Sequence, residues 1–490
     1  MPTARTTNLR ARVLRGMLWS WASFALGGAL VMVSTAVLAH LVSPRDFGLV
    51  ALALIVTSVL DALRDLGLNQ ALVVTNGGET EALADAAFRF SILIAGILAL
   101  VVAAVSPLAA ALLHQPRLVG LLAVLGLNLP LRSLGLTHYA LAQRRLDFRT
   151  RTAAELAEVI VRGGVGIGLA LSGGGPWSLV LGYLAGTSAS TVVLWARVDW
   201  RPARRHRTGP LSQLIRFGGP LTVVGFIGTA MSYVDNLFVG AVLGPAALGV
   251  YSLGYRLPET LVVDVVSAAG LVLFPAFAMV DGPARRRSVM AASRYALLLG
   301  IPVTVALIVL AHPLVLALFG RRWHEAAPVI QILGVGFLGW PTGQVVGSAY
   351  MAAGRVGVMV KLAVPQGIML VALIAIFVHD GLVAVAWCQA AVRVTFVAIG
   401  VYVSTRVLGL RARELWRVSW PPAAAAAGMA AVILPLHGML ASPWPSLLAS
   451  TVAGAVVYIG LARVLAGDAL PGLWALIRGG ELLGTEGDAR

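Results

Sequence analysis

The chain has 490 residues, of which 59% are hydrophobic and only 12% charged, with one cysteine and a formal net charge of +16. A mean hydropathy of +0.88 excludes a soluble enzyme, a disordered regulator and a coiled coil. The lone Cys388 excludes an internal disulfide, a cysteine-rich zinc site and an iron–sulfur cluster. The basic balance does not point to nucleic acid, because the charges sit in short connectors between apolar runs rather than on one face or tail.

A membrane-crossing helix needs about 20 apolar residues, and the apolar runs predict fourteen of them. In chain order they cover 17–41, 47–72, 88–112, 118–141, 153–171, 176–196, 214–240, 246–274, 295–318, 326–350, 356–378, 382–404, 418–437 and 446–465. Turn residues separate them, as in Ser43-Pro44-Arg45-Asp46, Ser172-Gly173-Gly174-Gly175-Pro176, His379-Asp380-Gly381 and Ser442-Pro443-Trp444-Pro445. No connector is long enough for a sizeable extramembrane domain. Arg5, Arg10, Arg12 and Arg15 precede the first run. That run is longer than a signal-peptide core, so it reads as a permanent span.

Lys and Arg test the count. With the N-terminus in the cytoplasm and sides alternating at each span, twenty-eight of the 37 fall on the cytoplasmic side. Only Arg45, Arg117, Arg321 and Arg322 fall outside. A missed helix would scramble that alternation, so the pattern predicts a multi-pass protein of the cytoplasmic membrane with both termini cytoplasmic.

The chain also repeats. Leu41-Val42-Ser43-Pro44-Arg45-Asp46-Phe47-Gly48-Leu49 follows the first span, and Val242-Leu243-Gly244-Pro245-Ala246-Ala247-Leu248-Gly249-Val250 follows the seventh. Proline and glycine keep their places at an offset of 201 residues, from Pro44 to Pro245 and from Gly48 to Gly249. An offset of six spans predicts parallel repeats about an axis along the membrane normal, a transporter feature. The expected organisation is an N-lobe of spans 1–6 over 1–210, a C-lobe of spans 7–12 over 211–410, and two extra spans with a tail over 411–490.

Ionisable residues inside spans are informative because each costs about 3 kcal/mol at a helix centre on insertion scales. They are Asp61, Arg64 and Asp65, then Arg132, Glu155, Glu158 and Arg162, then Asp235, then Arg256, Glu259 and Asp264, and finally Arg393. Glu158 and Arg162 are one turn apart and can neutralise each other. Arg256, Glu259 and Asp264 lie mid-span near one face, so their helix must line protein or water; a structural pair of Arg256 with Glu259 is the plainer alternative. Arg64, Arg132, Arg162, Arg256 and Asn236 are the candidate substrate contacts. Asp61, Glu158, Asp235, Glu259 and Asp264 are the candidates for coupling to a proton or sodium ion. No metal site, other cofactor or catalytic residue is predicted, and the chain does not read as an enzyme. Gly334-Val335-Gly336-Phe337-Leu338-Gly339 matches a dinucleotide fingerprint but lies inside an apolar span with no strand before it. Gly164 with Gly168, and Gly240 with Gly244, have the spacing of close helix contacts.

With spans and repeats placed, a resemblance emerges. Leu14-Arg15-Gly16 with Trp19, the Leu41–Leu49 turn, and Asp65-Leu66-Gly67-Leu68-Asn69-Gln70-Ala71-Leu72 resemble the opening of the Wzx-like polysaccharide exporters. These belong to the multidrug/oligosaccharidyl-lipid/polysaccharide flippase superfamily. Arg216-Phe217-Gly218-Gly219-Pro220, Asp235-Asn236, Leu243-Gly244, Leu248-Gly249-Val250-Tyr251 and Leu273-Phe274-Pro275-Ala276-Phe277 are similar to the same family's second half. The resemblance implies an all-α integral membrane fold, with two parallel six-helix lobes around a central cavity and two C-terminal helices. It implies a polyprenyl-diphosphate-linked oligosaccharide as substrate, flipped across the bilayer by alternating access, with polysaccharide polymerase machinery as a candidate partner. Spans three, six, nine and twelve are peripheral in such bundles, so Arg393 departs from the pattern. The alternatives are a multidrug or cation extruder of the same superfamily and a polytopic glycosyltransferase or polymerase.

Overall fold

The computed structural model of the chain describes residues 26–64, 80–203, 225–264, 282–439 and 442–467, together with Leu72, Thr222 and Phe277. Among these residues all regular structure is helical. The helices are α1 (Leu26–Leu41), α2 (Pro44–Arg64), α3 (Thr80–Leu112), α4 (Leu118–Gly126) and α5 (Asn128–Arg144). There follow α6 (Phe148–Leu171), α7 (Pro176–Arg197), α8 (Gly225–Ser232) and α9 (Val234–Phe238), the last running on as a π-helical turn over Val239–Leu243. Next, α10 (Pro245–Pro258) runs on as a second π-helical turn over Glu259–Asp264, and α11 spans Gly282–Leu318. The rest are α12 (Ala326–Phe337), α13 (Trp340–Ala352), α14 (Val356–Phe377), α15 (Leu382–Val407), α16 (Ala412–Met439) and α17 (Pro443–Leu465).

Among the described residues nine helices are long and apolar enough to cross a bilayer, or up to eleven if each bent pair, α8–α9 and α12–α13, is one span. The protein is a multi-pass membrane protein. Parts of the predicted spans over 17–41, 47–72, 214–240 and 246–274 lie outside the described residues, as does Asp65. The predicted fifth span forms α6, 24 residues long. That is about 36 Å of helix at 1.5 Å per residue, although its charges keep it off the purely apolar set.

The chain forms two compact units, Met1–Gly249 and Val250–Arg490. In the first, α6 and α7 make a hairpin through the predicted Ser172–Pro176 turn, where Gly173 and Gly175 take φ of 82° and 51°. Glycine is the residue that adopts those angles without strain. The pair comes close enough that a Cβ on Gly186 of α7 would lie 2.6 Å from the Glu158 carbonyl of α6. The predicted contact pair Gly164 and Gly168 instead faces open space among the described residues. Helical phase explains the difference, because the packed faces of α6 lie elsewhere: Gly163 faces Ser34 of α1, and Gly166 faces the Ser178 carbonyl of α7.

The two copies of the repeated turn touch. Pro44 opens α2 and Pro245 opens α10. Ser43 caps the first helix by accepting from the Asp46 N–H at 3.2 Å and donating to its Oδ2 at 2.8 Å. Gly244 with φ 90° makes the corresponding corner of the second. A Cβ on Gly48 would overlap the Pro245 carbonyl, and one on Gly249 would overlap the Pro44 carbonyl. The contact is reciprocal, residue for residue.

In the second unit α11 is the organising helix. Leu297, Leu298, Ile301 and Leu310 pack against Ala425, Ala426, Met429 and Ile433 of α16 and Tyr458 and Ala462 of α17. Lipid tails are as apolar as leucine, so this docking rests on close contact and internal hydrogen bonds rather than exclusion of water. The Tyr458 hydroxyl supplies one bond, donated to the Leu298 carbonyl at 2.8 Å. Arg286 pairs with Glu414 and Arg294 donates to the Ala466 carbonyl at the ends.

The reciprocal glycine contact gives a stability prediction. Gly48→Ala should lower the thermal midpoint of the detergent-solubilised protein, because overpacking against rigid backbone costs about 1–3 kcal/mol. Gly164→Ala should leave it within about 0.5 kcal/mol of wild type. Equal midpoints for the two variants would contradict this account of the contact.

Candidate functional site

Most in-span charges of the first unit are already answered by the protein. Arg64, at the end of α2, is 4% exposed and its Nε lies 2.7 Å from Asp61 Oδ1. Its Nη1 donates to Ser133 Oγ of α5 at 3.1 Å. The pair is net neutral, largely buried and ties two helices together. On α6, Arg162 contacts Glu158, one turn before it. The Arg162 guanidinium also sits 4.3 Å from the ring centroid of Tyr183 on α7, an attraction between cation and ring face. Sequence spacing found the Glu158 partner; Tyr183 was hidden, because it comes from the facing helix of a hairpin whose register spacing does not define. Glu155, near the start of α6, accepts from the Tyr139 hydroxyl at 2.9 Å.

Arg132 is different. It follows Pro130 in α5 and lies near the middle of the apolar stretch Leu118–Arg144. Its side chain is exposed, and it has no hydrogen-bond or ion-pair partner among the described residues. Ser133, the next residue, faces inward and holds Arg64. One helical step, about 100° of rotation, therefore separates a satisfied buried face from a free cation at bilayer depth.

Asp235 and Asn236 open α9 just after a 47° bend. Asp235 is 1% exposed, and its Oδ1 accepts from the Asn236 backbone N–H at 2.8 Å and side-chain Nδ2 at 3.1 Å. A buried carboxylate held this way is positioned by the chain.

In the second unit, Arg256 and Glu259 face each other loosely. Arg256 Nη1 is 3.7 Å from Glu259 Oε2, with the side chains 47% and 42% exposed. That separation is longer than a hydrogen bond, so the pair is an electrostatic neighbourhood rather than a lock. Pro258 ends the regular helix between them, and Glu259 through Asp264 wind as a π-helical turn. Such wide turns are frequent at functional sites. The side chain of Asp264 lies outside the described residues. Geometry thus divides the candidates into tight pairs (Asp61–Arg64, Glu158–Arg162), a loose pair (Arg256–Glu259), a held carboxylate (Asp235 with Asn236) and a free cation (Arg132).

Comparison with known proteins places these residues in a family. The profile described as "Polysaccharide biosynthesis protein" matches residues 37–328, more than half of the chain. The chain belongs to this polysaccharide biosynthesis protein family. It is 29% identical over 328 residues to the succinoglycan biosynthesis transport protein ExoT of Rhizobium meliloti (strain 1021), covering 66% of this chain and 65% of that one. It is 25% identical over 368 residues to the lipopolysaccharide biosynthesis protein WzxC of Escherichia coli (strain K12), covering 73% of each. Among solved structures, the lipid II flippase MurJ in its inward closed conformation superposes with a TM-score of 0.64 at 15% identity, over 92% of this chain and 99% of that one. The fold is that of these membrane transporters.

The contrast between locked and free arginines is measurable as stability. Arg64→Ala strands the half-buried Asp61 carboxylate and removes the tie to Ser133, and breaking a pair with one buried partner costs up to about 3 kcal/mol. Membrane abundance and thermal midpoint should both fall. Arg132→Ala removes a side chain with no partner among the described residues and should leave both near wild type. A drop in abundance for Arg132→Ala equal to that for Arg64→Ala would show that Arg132 is structural.

Proposed function

We propose that the chain is a flippase that carries an oligosaccharide on a polyprenyl diphosphate from the cytoplasmic to the outer leaflet by alternating access. The single observation that carries the reading is Arg132, an exposed arginine near the middle of a spanning helix with no partner among the described residues. Against lipid alone it would cost about 3 kcal/mol, so its natural surroundings are water or an anionic head group. A diphosphate suits it. Arg offers a planar fork to phosphate oxygens, and a low local dielectric strengthens the attraction. The polyprenyl tail stays in the bilayer, so only the polar head needs shelter. Membership of the polysaccharide biosynthesis family supports this reading over the multidrug-extruder and glycosyltransferase alternatives. Work on the head group is transport, with no bond made or broken by the chain, and polysaccharide polymerase machinery would act on the delivered product.

Orientation and energy supply belong to the same proposal. The distribution of Lys and Arg supports both termini in the cytoplasm. Maleimide applied from outside should label cysteines introduced at Ser172 and Ser442 and spare those at Arg205 and Arg286. Labelling at position 205 from outside would invert the topology. Coupling to a proton or sodium gradient would run through Glu259 and Asp264, two carboxylates on the π-helical turn that follows Pro258, with Arg256 3.7 Å from the first. In vesicles with an imposed gradient, Glu259→Gln or Asp264→Asn should make transport independent of the gradient. Unchanged gradient dependence in both variants would remove these residues from coupling.

The direct test uses proteoliposomes loaded with a polyprenyl-diphosphate oligosaccharide. Arg132→Ala should slow translocation by at least about tenfold at equal abundance, the factor expected from losing a charge-assisted contact. Arg132→Lys should be intermediate, because an ammonium keeps the charge but not the fork. Normal flipping by Arg132→Ala, or drug efflux in place of flipping by wild type, would reject the assignment.

A further inference from the structure

The span formed by α12 and α13 is broken, with a 41° bend between its halves. Phe337 ends α12, Gly339 caps α13, and Trp340-Pro341 begin it. Pro341 supplies no backbone N–H, so the ladder is not continued through it. The side chain that meets this break comes from α15. Arg393 lies near the middle of Leu382–Val407. Its guanidinium carbon is 4.0 Å from the Phe337 ring centroid, 5.9 Å from that of Trp340 and 5.5 Å from that of Tyr255 on α10. Nη2 donates to the Tyr255 hydroxyl. One cation therefore holds the last residue before the break, the first after it, and a neighbouring helix.

The sequence explains how α15 comes so close. A Cβ on Gly336 would lie 3.0 Å from the Ala390 Cα and 3.3 Å from Arg393 Cδ, and one on Gly339 would lie 2.6 Å from Val397 Cγ1. These are glycines of the dinucleotide-like match at 334–339. Their role is a packing seam that lays the arginine across the break.

The grip has a counterweight. Arg393 Nη1 and Trp340 Nε1 are both buried and without an acceptor among the described residues, and an unmade hydrogen bond in a dry place is a full desolvation loss. Stacking with three rings favours this arrangement, while two orphan donors oppose it. A leucine would fill the space without orphans, so packing alone does not call for arginine. An element held by opposed contributions of this kind is suited to two states.

We propose that Arg393 is a positioning residue for transport, a latch that keeps the α12–α13 span bent at Leu338–Gly339 and whose release lets that span change shape. The transport step rests on the flippase reading; the latch itself does not. It acts through Phe337, Trp340 and Tyr255 without touching the carried molecule.

The reporter must stand on the face of α15 that meets α12. Cys388, the only cysteine of the chain, is five residues before Arg393 and so about 140° round the helix from it. It is replaced by serine, and Ala390→Cys, at the position whose Cα faces Gly336, carries the reporter in the otherwise wild-type chain and in every variant. The full-length protein in lipid nanodiscs, with no substrate added, is reacted with a fluorescent maleimide. The labelling rate then follows the population in which α15 has parted from α12. Arg393→Ala should label about tenfold faster than wild type, the factor that losing a desolvated cation–ring contact would give. Arg393→Lys should label about threefold faster, since an ammonium cannot stack flat while donating to Tyr255. Gly48→Ala, destabilised elsewhere, should label at the wild-type rate, which separates release of the latch from general loosening. In proteoliposomes Arg393→Ala should flip polyprenyl-diphosphate oligosaccharide at least about tenfold more slowly, with partial recovery in Arg393→Lys. If Arg393→Ala fails to accumulate, Arg393→Lys and Phe337→Leu supply the same readout. Wild-type labelling rates in Arg393→Lys and Phe337→Leu would overturn the latch, and faster labelling with normal flipping would overturn its role in positioning. A wild type that labels slowly, opens on Arg393→Ala and flips no lipid-linked oligosaccharide would defeat the flippase reading alone.

Discussion

The bilayer interior offers no water, so each polar group placed there must be satisfied by the chain or by what the chain carries. This constraint sorts the in-span arginines. Arg64 is answered by Asp61 and Ser133, Arg162 by Glu158 and the Tyr183 ring, and Arg393 by three aromatic rings and one hydroxyl. Arg256 is only half answered, by a carboxylate 3.7 Å away. Arg132 is answered by nothing among the described residues. The same residue type thus serves as tie, clamp, loose partner and free cation, and surroundings rather than identity decide which.

Without a hydrophobic drive between helices, contact distance decides which helices associate. Glycine and alanine therefore do here what leucine does in a soluble core. The reciprocal seat of Gly48 on Pro245 and of Gly249 on Pro44 joins the two repeated turns backbone to backbone. The α6–α7 hairpin and the alanine seam of α11 with α16 follow the same rule. Close backbones also fix side-chain geometry. Gly186 brings α7 against the Glu158–Arg162 turn, so Tyr183 of the same helix can cover the guanidinium. Gly336 lets Arg393 lie across Phe337.

Much of this could be read from sequence, for identifiable reasons. Apolar length and turn residues located most helix ends, because lipid thickness and proline or glycine punctuation act locally. The repeated Pro and Gly were visible since they stand at fixed places in a corner; their mutual contact was not, since it is a tertiary event. Charges inside spans stand out in the sequence as the residues needing an account. Their sorting was not legible, because i to i+4 spacing detects partners on one helix and is blind to Tyr183, Ser133 and Phe337 on others. Hence Arg162 and Arg256 looked as available as Arg132. The spacing of Gly164 and Gly168 misled for a related reason: small-residue spacing marks a stripe, and only the packed neighbour says whether it is the buried one.

The two units use charge differently, which bears on how such a protein can both bind and move. In the first, the tight pairs cross-brace α2 to α5 and α6 to α7, and the remaining cation stands on a braced helix. A binding contact gains from that, because a preorganised donor loses little entropy when an anion arrives. In the second, the loose Arg256–Glu259 pair flanks Pro258 and a π-helical turn, and the Arg393 cage straddles a 41° break. Helix irregularities of this kind are where a chain can change shape, and a difference of a few kcal/mol between two shapes is what a ligand or ion can shift. What differs between the units is therefore the placement of the arginines, tightly paired against neighbouring helices in the first and set beside a helix irregularity in the second.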